Sequence, residues 1–537
     1  MSVHKTSLEK RICKAGIFVL IAHVLFKLAG LIQSKVMGYY LPQGTFDVVY
    51  AFAFENCVFM LFLVGEEVLG PSFLPIFMRE LDLGDERSAW RFANTVLTLQ
   101  FLILLLVAVV LVFLPEWVVS SLTQWSYELT PERYVLAVKS VRTLGPAVIG
   151  LSLGSITYVL LNGYKRFFLA AFGDAVWKFC VVGFLIFGAV MARDNAQMLM
   201  WGLVAGSLCK VGTHLLGLRS KLHLFRPTLA LSHPAFRRLC WLALPLLVGI
   251  VMAKIRDEIN NVYLLSALDE SGLMQANSMG RKLQGTLLFL VPYTLAIAVF
   301  PFFCELVDQN DQKKLGSLVT RFGRMLLAVF APFSIFVAVA AVPLTALIFK
   351  GGHFDSVAVQ RTSVSLSFYT LVLPAAAIEA LTMQAFFANR RMVVVTVIGI
   401  LFSSLSILIS WIGLKVCGGH DLILLAFIAG GFTLSRIFKC FTLVEMLKKN
   451  APVFPFSETI VFLGRVTLAA GISSVGAWLI LSRVALIAEL SGWFGDLTKL
   501  ILSGSVFAIV YLVCAYVLRI GELRELVMLI LRFRKRT

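Results

Sequence analysis

Charge is scarce in this sequence. Only 15% of its 537 residues are Asp, Glu, Lys or Arg, where soluble domains carry about a quarter. No polar stretch is long enough to make a separate water-soluble domain. Histidine is scarcer still, and its seven residues (His4, His23, His214, His223, His233, His353, His420) lie dispersed. There is no His-Glu-x-x-His pair, no P-loop and no Gly-x-Ser-x-Gly elbow, which argues against zinc hydrolysis, serine hydrolysis and ATP-driven work by this chain alone. The nine cysteines, among them Cys57, Cys180, Cys209, Cys304 and Cys514, fall mostly inside apolar runs and never at metal-ligand spacing. We therefore expect no metal, no disulfide framework, no cofactor and no enzymatic reaction.

What the chain has is apolar length. Hydrophobic residues make up 59% of it, and a bilayer core asks for roughly 20 of them per helix. Such runs recur from end to end, so the expected fold is an all-α polytopic membrane protein of about 14 transmembrane helices. We place them at 13–33, 46–77, 92–114, 138–162, 168–192, 196–218, 239–266, 283–304, 322–349, 357–388, 392–417, 420–446, 457–482 and 496–519. The run Ile17–Ile32 lacks the small-residue end of a cleaved signal and reads as the first span. The net charge of +18 follows from cations gathered in alternate connections, as the positive-inside rule requires. It speaks for cytoplasmic loops, with both termini cytoplasmic, and not for a nucleic-acid partner.

A weak internal echo suggests organisation. The fourth helix closes with Leu160–Arg166 and the tenth with Phe386–Arg391, each a tight basic turn followed at once by another helix. We expect two six-helix lobes in pseudo-twofold repeat, 1–218 and 219–446, and a C-terminal helix pair with a basic tail, 447–537. Transporters commonly bind substrate between such repeats.

Ionisable side chains inside a membrane are costly and tend to face a wet cavity or a partner. They are unevenly spread here: Lys27 on the first helix, Asp47, Glu55, Glu66 and Glu67 on the second, Asp174 and Lys178 on the fifth, Lys254, Arg256, Asp257 and Glu258 on the seventh, Arg281 and Lys282 on the eighth, Glu379 on the tenth. Each has a plain structural reading beside the functional one. Lys254 can pair with Asp257 or Glu258, and Asp174 with Lys178, at helical i,i+3 and i,i+4 spacing, while Asp47 and Lys282 can sit in the outer headgroup layer. Lys27 has no acid at such spacing, which favours a cavity position over snorkelling. Clustered Lys and Arg suit a pyrophosphate through charge-assisted hydrogen bonds, and acids on the second helix can balance them when the site is empty.

Three blocks resemble the MurJ (MviN) family of lipid II flippases, within the multidrug/oligosaccharidyl-lipid/polysaccharide exporter superfamily. They are Gly65-Glu66-Glu67-Val68-Leu69-Gly70-Pro71-Ser72-Phe73-Leu74-Pro75; the series Pro343, Leu344, Thr345, Phe349, Gly352, Phe354, Arg361, Leu366, Tyr369 and Leu373, completed by Phe386-Phe387-Ala388; and Leu161-Asn162 to Arg166-Phe167 with Ala171-Phe172. The likeness spans nearly the whole chain. It implies two lobes around a cationic cavity, alternating access, and lipid II, an undecaprenyl-pyrophosphate-linked muropeptide, as cargo in peptidoglycan biosynthesis at the bacterial inner membrane. Membrane lipids and cell-wall synthesis proteins are the candidate partners, and the membrane potential or an ion gradient the candidate drive.

By the same resemblance, Lys27 and Lys282 stand where the family has arginines, and Asp47 matches its helix-two aspartate. Gln33, Met60-Leu61-Phe62 and Gly285 replace other family charges, so the phosphate site is reduced. We expect Lys254 and Arg256 to supply the lost charge. The substrate set is thus Lys27, Asp47, Lys254, Arg256 and Lys282, with Glu66, Glu67, Asp257 and Glu258 as gating or counter-charges. Two alternatives stay open: another exporter of the superfamily, for drugs or a different polyprenyl-linked glycan, and a membrane scaffold of the cell-wall machinery.

Overall fold

The computed structural model describes residues 25–83, 85–289, 292–389, 391–487, 492–523 and 525. Within them the chain is helical, and the Gly351–Phe354 bridge is the one extended pairing. Helix α1 covers residues 25–40. A short turn, α2 (Gln43–Thr45), leads through a π-wound stretch, Phe46–Phe59, into α3 (Met60–Asp82). Then follow α4 (Glu86–Phe113), α5 (Pro115–Leu122), α6 (Pro131–Leu144), α7 (Ala147–Gly163), α8 (Phe167–Val190), α9 (Asn195–Leu218) and α10 (Pro234–Glu258). The second half holds α11 (Leu273–Phe289), α12 (Pro292–Asp308), α13 (Gln312–Val339), α14 (Ala341–Phe349), α15 (Ser356–Thr370), α16 (Leu373–Ala388), α17 (Met392–Val416), α18 (Asp421–Lys448), α19 (Phe456–Ile487) and α20 (Trp493–Val517).

The ends of these helices are written in side chains. Asp85, Asp194, Asp311 and Asp355 each accept main-chain N–H groups at the N-terminus of α4, α9, α13 and α15, using donors a helix cannot satisfy itself. Proline opens α5, α6 and α10, where a missing N–H costs nothing.

Nine helices are long and apolar enough to cross a membrane, or twelve if each of three bent pairs is one span, among the described residues. Fourteen spans are expected from the sequence. The first, 13–33, lies mostly outside the described residues, and the eighth, 283–304, includes 290–291, which do too. The bends have a cause. The fourth expected span breaks by 46° between α6 and α7, at Gly145-Pro146, and the tenth by 40° between α15 and α16, just before Pro374. The seventh bends by 44° at Pro245. Proline removes a ladder hydrogen bond and crowds the preceding turn.

The chain divides into two compact units. One runs to Gln275 and takes in Gly351–Phe354; the other comprises 276–350 and residues from Asp355 onward. In the first, Phe73, Phe77, Trp90, Phe92, Leu160 and Leu161 form a buried core where α3, α4 and α7 meet. Phe73 stacks on Phe92 at 4.9 Å between ring centroids. In the second, Phe303, Leu315, Leu381, Phe386 and Leu443 join α12, α13, α16 and α18, and Phe462, Val466, Phe507 and Tyr511 join α19 to α20. The two turns of the sequence echo close alike: Arg166 N–H donates to Leu161 O, and Arg391 N–H to Phe386 O.

Candidate functional site

In the first unit the helices carry a chain of charges through their apolar packing. On α9, Lys210 and His214 are one turn apart and share a face. Lys210 is only 1% exposed, and its Nζ lies 2.5 Å from Oδ1 of Asp174 on α8 and 4.0 Å from the centre of the Phe62 ring on α3. The lysine stem can lie this deep because Gly154 of α7 has no side chain: a Cβ there would come within 2.8 Å of Lys210 Cε. His214 is likewise admitted by Gly173, whose Cβ would fall 2.3 Å from Nε2. Its Nδ1 meets Thr157 Oγ1 at 2.9 Å and its Nε2 the Ala170 carbonyl at 3.1 Å.

Glu66 on α3 lies within electrostatic reach of Asp174, Lys210, Glu67 and Lys254. The next residue, Glu67, accepts a hydrogen bond from Lys254 of α10 at 2.8 Å. Consecutive carboxylates of α3 therefore link two cation sites, one on α9 and one on α10. This cluster contains three carboxylates and two lysines, so it is not a cationic surplus. It is a set of exchangeable pairs, and an anion that enters has to compete with Glu66, Glu67 and Asp174 for the ammonium groups.

The local pairings read from the sequence do not form. Lys254 pairs with Glu67 across helices, leaving Asp257 to Arg256, whose Nε and Nη2 both donate to Asp257 Oδ1 at 3.0 and 2.7 Å. Arg256 is thus engaged by its direct neighbour, although the two side chains start about 100° apart round the helix, because a guanidinium is long enough to turn back. Asp174 pairs with Lys210, while Lys178 donates to the Phe26 carbonyl at 3.2 Å and caps the Phe26 ring at 3.3 Å. Interhelical pairs win here because α8, α9 and α10 are packed against their neighbours along their length. Glu258 is 8% exposed, and neither carboxylate oxygen has a hydrogen-bond partner among the described residues.

Asp47 is buried and serves the main chain. Its Oδ2 accepts from Gly272 N at 2.6 Å and its Oδ1 from Gln275 N at 2.7 Å, which holds the start of α11 against the π-wound stretch. Lys27 is half-buried on α1, and Gln33 of the same helix is 1% exposed. Lys282 lies on α11 in the second unit.

That second unit has its own buried acid. Glu379 of α16 takes Arg436 Nε at 3.0 Å and Lys439 Nζ at 2.7 Å, both from α18. Arg361 Nε donates to Asp421 at 2.5 Å, and Arg436 and Arg281 flank the Phe432 ring at 5.7 and 5.8 Å. A basic pocket of about 1190 Å³ lies by α13 and α19, where Arg324 pairs with Glu458 and Arg321 with Glu525. The sequence reading missed Lys210, Arg436 and Lys439. The signal was there: each is a cation inside an apolar helix, as Lys27 is. Among the described residues no group of His, Cys, Asp and Glu could hold a metal ion.

The chain matches the family model described as Lipid II flippase MurJ over residues 37–488. It is 22% identical over 370 residues to the probable lipid II flippase MurJ of Rhizobium meliloti, covering 68% of each chain. To the probable lipid II flippase MurJ of Borreliella burgdorferi it is 21% identical over 410 residues, 76% of this chain and 79% of that one. Among solved structures it resembles a lipid II flippase MurJ in an inward closed conformation, with a TM-score of 0.72 and 19% identity over 95% of this chain and 100% of that one. It also resembles an inward-facing multidrug resistance MATE transporter, with a TM-score of 0.63 and 13% identity over 79% of this chain and 95% of that one. With most of its length matched to the family model, the protein belongs to the lipid II flippase MurJ family.

Proposed function

We propose that the protein moves lipid II across the bacterial inner membrane, from the cytoplasmic to the periplasmic leaflet, by alternating access of lobes 1–218 and 219–446, with 447–537 as an accessory helix pair. The family match over 37–488 carries this reading. Lys27, Lys254, Arg256 and Lys282 are the cations that meet the pyrophosphate. Asp47 orders the main chain at Gly272 and Gln275. Glu66, Glu67 and Asp257 hold cations while no cargo is bound, and Glu258 is a further gating or counter-charge. Paired charges inside spanning helices support a transporter over a scaffold, since a scaffold gains nothing from charges that are costly to insert.

The potential across the membrane is a sufficient drive. A pyrophosphate with about two negative charges, carried outward across 100 mV (negative inside), releases roughly 4–5 kcal/mol. The test is to deplete the protein and follow which face of the membrane holds lipid II. Accumulation on the cytoplasmic face is the expected result; an unchanged distribution would sink the proposal, as would export of a drug in place of the lipid.

Both termini and the connection at Arg226 are placed in the cytoplasm, and the Leu268–Gly280 and Lys350–Asp355 connections in the periplasm. Because α11 begins at Leu273 and residues 273–277 are buried, the exposed positions of these last two segments are the ones to probe: in a cysteine-free background, single cysteines at 269, 270, 353 and 355 should react with an impermeant thiol reagent added outside. Reaction at position 226 or 390 instead would invert or break the topology.

Lys27→Ala and Lys282→Ala should each lower transport while leaving insertion intact, because each deletes a phosphate contact. Lys27→Arg should be tolerated, since the guanidinium keeps the charge and adds a fork that fits phosphate. Full complementation of a depletion strain by both alanine variants would show that these lysines only snorkel.

A further inference from the structure

A second, separate cavity of about 550 Å³ opens in the first unit between the start of α4 and the segment that joins α9 to α10. Its size is that of a small-molecule site. One face of α4 supplies Arg87, Arg91 and Asn94, at i, i+4 and i+7, and the connecting segment supplies His223, Arg226 and Thr228. Three guanidiniums line it and no carboxylate does. Two acids flank it and both are engaged: Asp85 Oδ1 accepts from the main-chain N–H groups of Arg87 and Ser88 at 3.0 Å, and Glu86 has Lys221 Nζ 2.6 Å away and accepts from the Tyr164 hydroxyl at 2.6 Å. Like charges lining one cavity repel one another, and an anion bound there is stabilised by charge-assisted hydrogen bonds.

The three arginines are exposed, but the wall that carries them is built. The segment is fastened to α4 by Asn94 Nδ2 donating to Leu224 O at 2.9 Å, by Thr228 N donating to Thr98 Oγ1 at 3.3 Å, and by Ala230 N donating to Thr95 Oγ1 at 3.2 Å. The first of these bonds sets the orientation of the Asn94 amide. Its other atom, Oδ1, is left as a buried acceptor with no partner, on a side chain 3% exposed. A buried unmet acceptor is costly.

The surroundings say where such a ligand comes from. Leu222, Phe225, Leu229 and Leu231 of the same segment are exposed, although the segment is otherwise basic and hydrogen-bonded. Exposed apolar side chains next to arginines are the composition of a surface lying in the headgroup layer, where the apolar groups meet acyl chains and the cations meet phosphate. Three arginine forks match the several oxygens of a phosphate better than the two of a carboxylate.

We propose that this cavity is a binding site for the headgroup of an anionic glycerophospholipid, with Arg87, Arg91 and Arg226 on the phosphate. It lies apart from the Lys210 and Lys254 pairs and takes a resident membrane lipid, not the cargo. A lipid held there ties the α9–α10 connection to the first turns of α4.

The test is native mass spectrometry of the full chain in detergent, titrated with phosphatidylglycerol, with phosphatidylcholine as competitor. The wild type should keep phosphatidylglycerol against excess phosphatidylcholine. Arg226→Gln and Arg87→Gln should each weaken that retention about tenfold, the worth of one charge-assisted pair. Arg465→Gln, in the basic pocket of the second unit, should not. Arg226 is exposed on the connecting segment, so its variant is not expected to disturb folding, and a melting curve in phosphatidylcholine alone checks this. Retention that Arg87→Gln and Arg226→Gln leave untouched overturns the site. If free glycerol 3-phosphate binds with the same arginine dependence and phosphatidylglycerol does not displace it, the phosphate site stands and its lipid source is overturned.

Discussion

Lys210→Ala is expected to remove about 3–5 kcal/mol of stability, the usual cost of taking one partner from a buried ion pair. The reason is what stays behind. Asp174 loses the ammonium 2.5 Å away and Glu66 loses a neighbouring cation, at a site where the lysine is only 1% exposed. Thermal unfolding in detergent, together with the amount of protein that inserts, measures the loss. The double variant Lys210→Met, Asp174→Leu should recover most of it, since replacing a whole buried pair by apolar groups of similar size is often close to neutral. Transport by that double variant then separates two roles. If it transports normally, the pair is a structural fastening of α8 to α9. If it folds and does not transport, the charges take part in the cycle. A Lys210→Ala variant as stable as the wild type would show that the lysine is not buried among acids at all.

The contrast between what the sequence told and what it hid has a physical shape. Helix positions were legible because lipid imposes a length: the expected windows 92–114, 168–192, 196–218, 392–417 and 420–446 each fall on one observed helix, α4, α8, α9, α17 and α18. Hydropathy averages over such a window and is blind to a break inside it. It therefore merged α6 with α7 and α15 with α16, although Pro146 and Pro374 mark both joints. The π-wound stretch Phe46–Phe59 left no mark at all, since the mean hydropathy of a window is the same in either winding.

Charged residues were legible as candidates but not as pairs. Spacing along one helix offers only i,i+3 and i,i+4 partners, worth about 0.2–0.5 kcal/mol each. Partners on a neighbouring helix, buried with their charge, compete at a higher level. So Asp174 went to Lys210 and not to Lys178, and Lys254 to Glu67 and not to Glu258. Asp47 entered the substrate set by resemblance, because it matches the family's helix-two aspartate. Its two oxygens accept from main-chain donors 225 and 228 positions away, which no local pattern reveals.

The second large effect concerns Lys254 and its acid. Glu67 is 44% exposed in its side chain, so the pair contributes little to stability, under about 1 kcal/mol. That separates fold from function. Lys254→Ala should leave the melting temperature nearly unchanged while transport falls about a hundredfold, because leaving a pyrophosphate one counter-charge short in a low-dielectric passage costs on the order of 3 kcal/mol. The charge swap Lys254→Glu, Glu67→Lys is the stricter experiment. It keeps the ion pair, its geometry and the net charge, and moves only the helix from which the cation is offered. A fastening works equally well in either polarity, so transport would return to the wild-type level. A cation that must leave Glu67 and meet phosphate from α10 does not survive the exchange, and transport should remain low with the protein fully folded. Arg256→Ala gives a parallel comparison, since Arg256 is held by the adjacent Asp257 and its release would free a second cation from the same helix end. If the swapped protein transports as well as the wild type, the lysine on α10 is a strut, and the phosphate contact has to be sought among Lys27, Arg256 and Lys282.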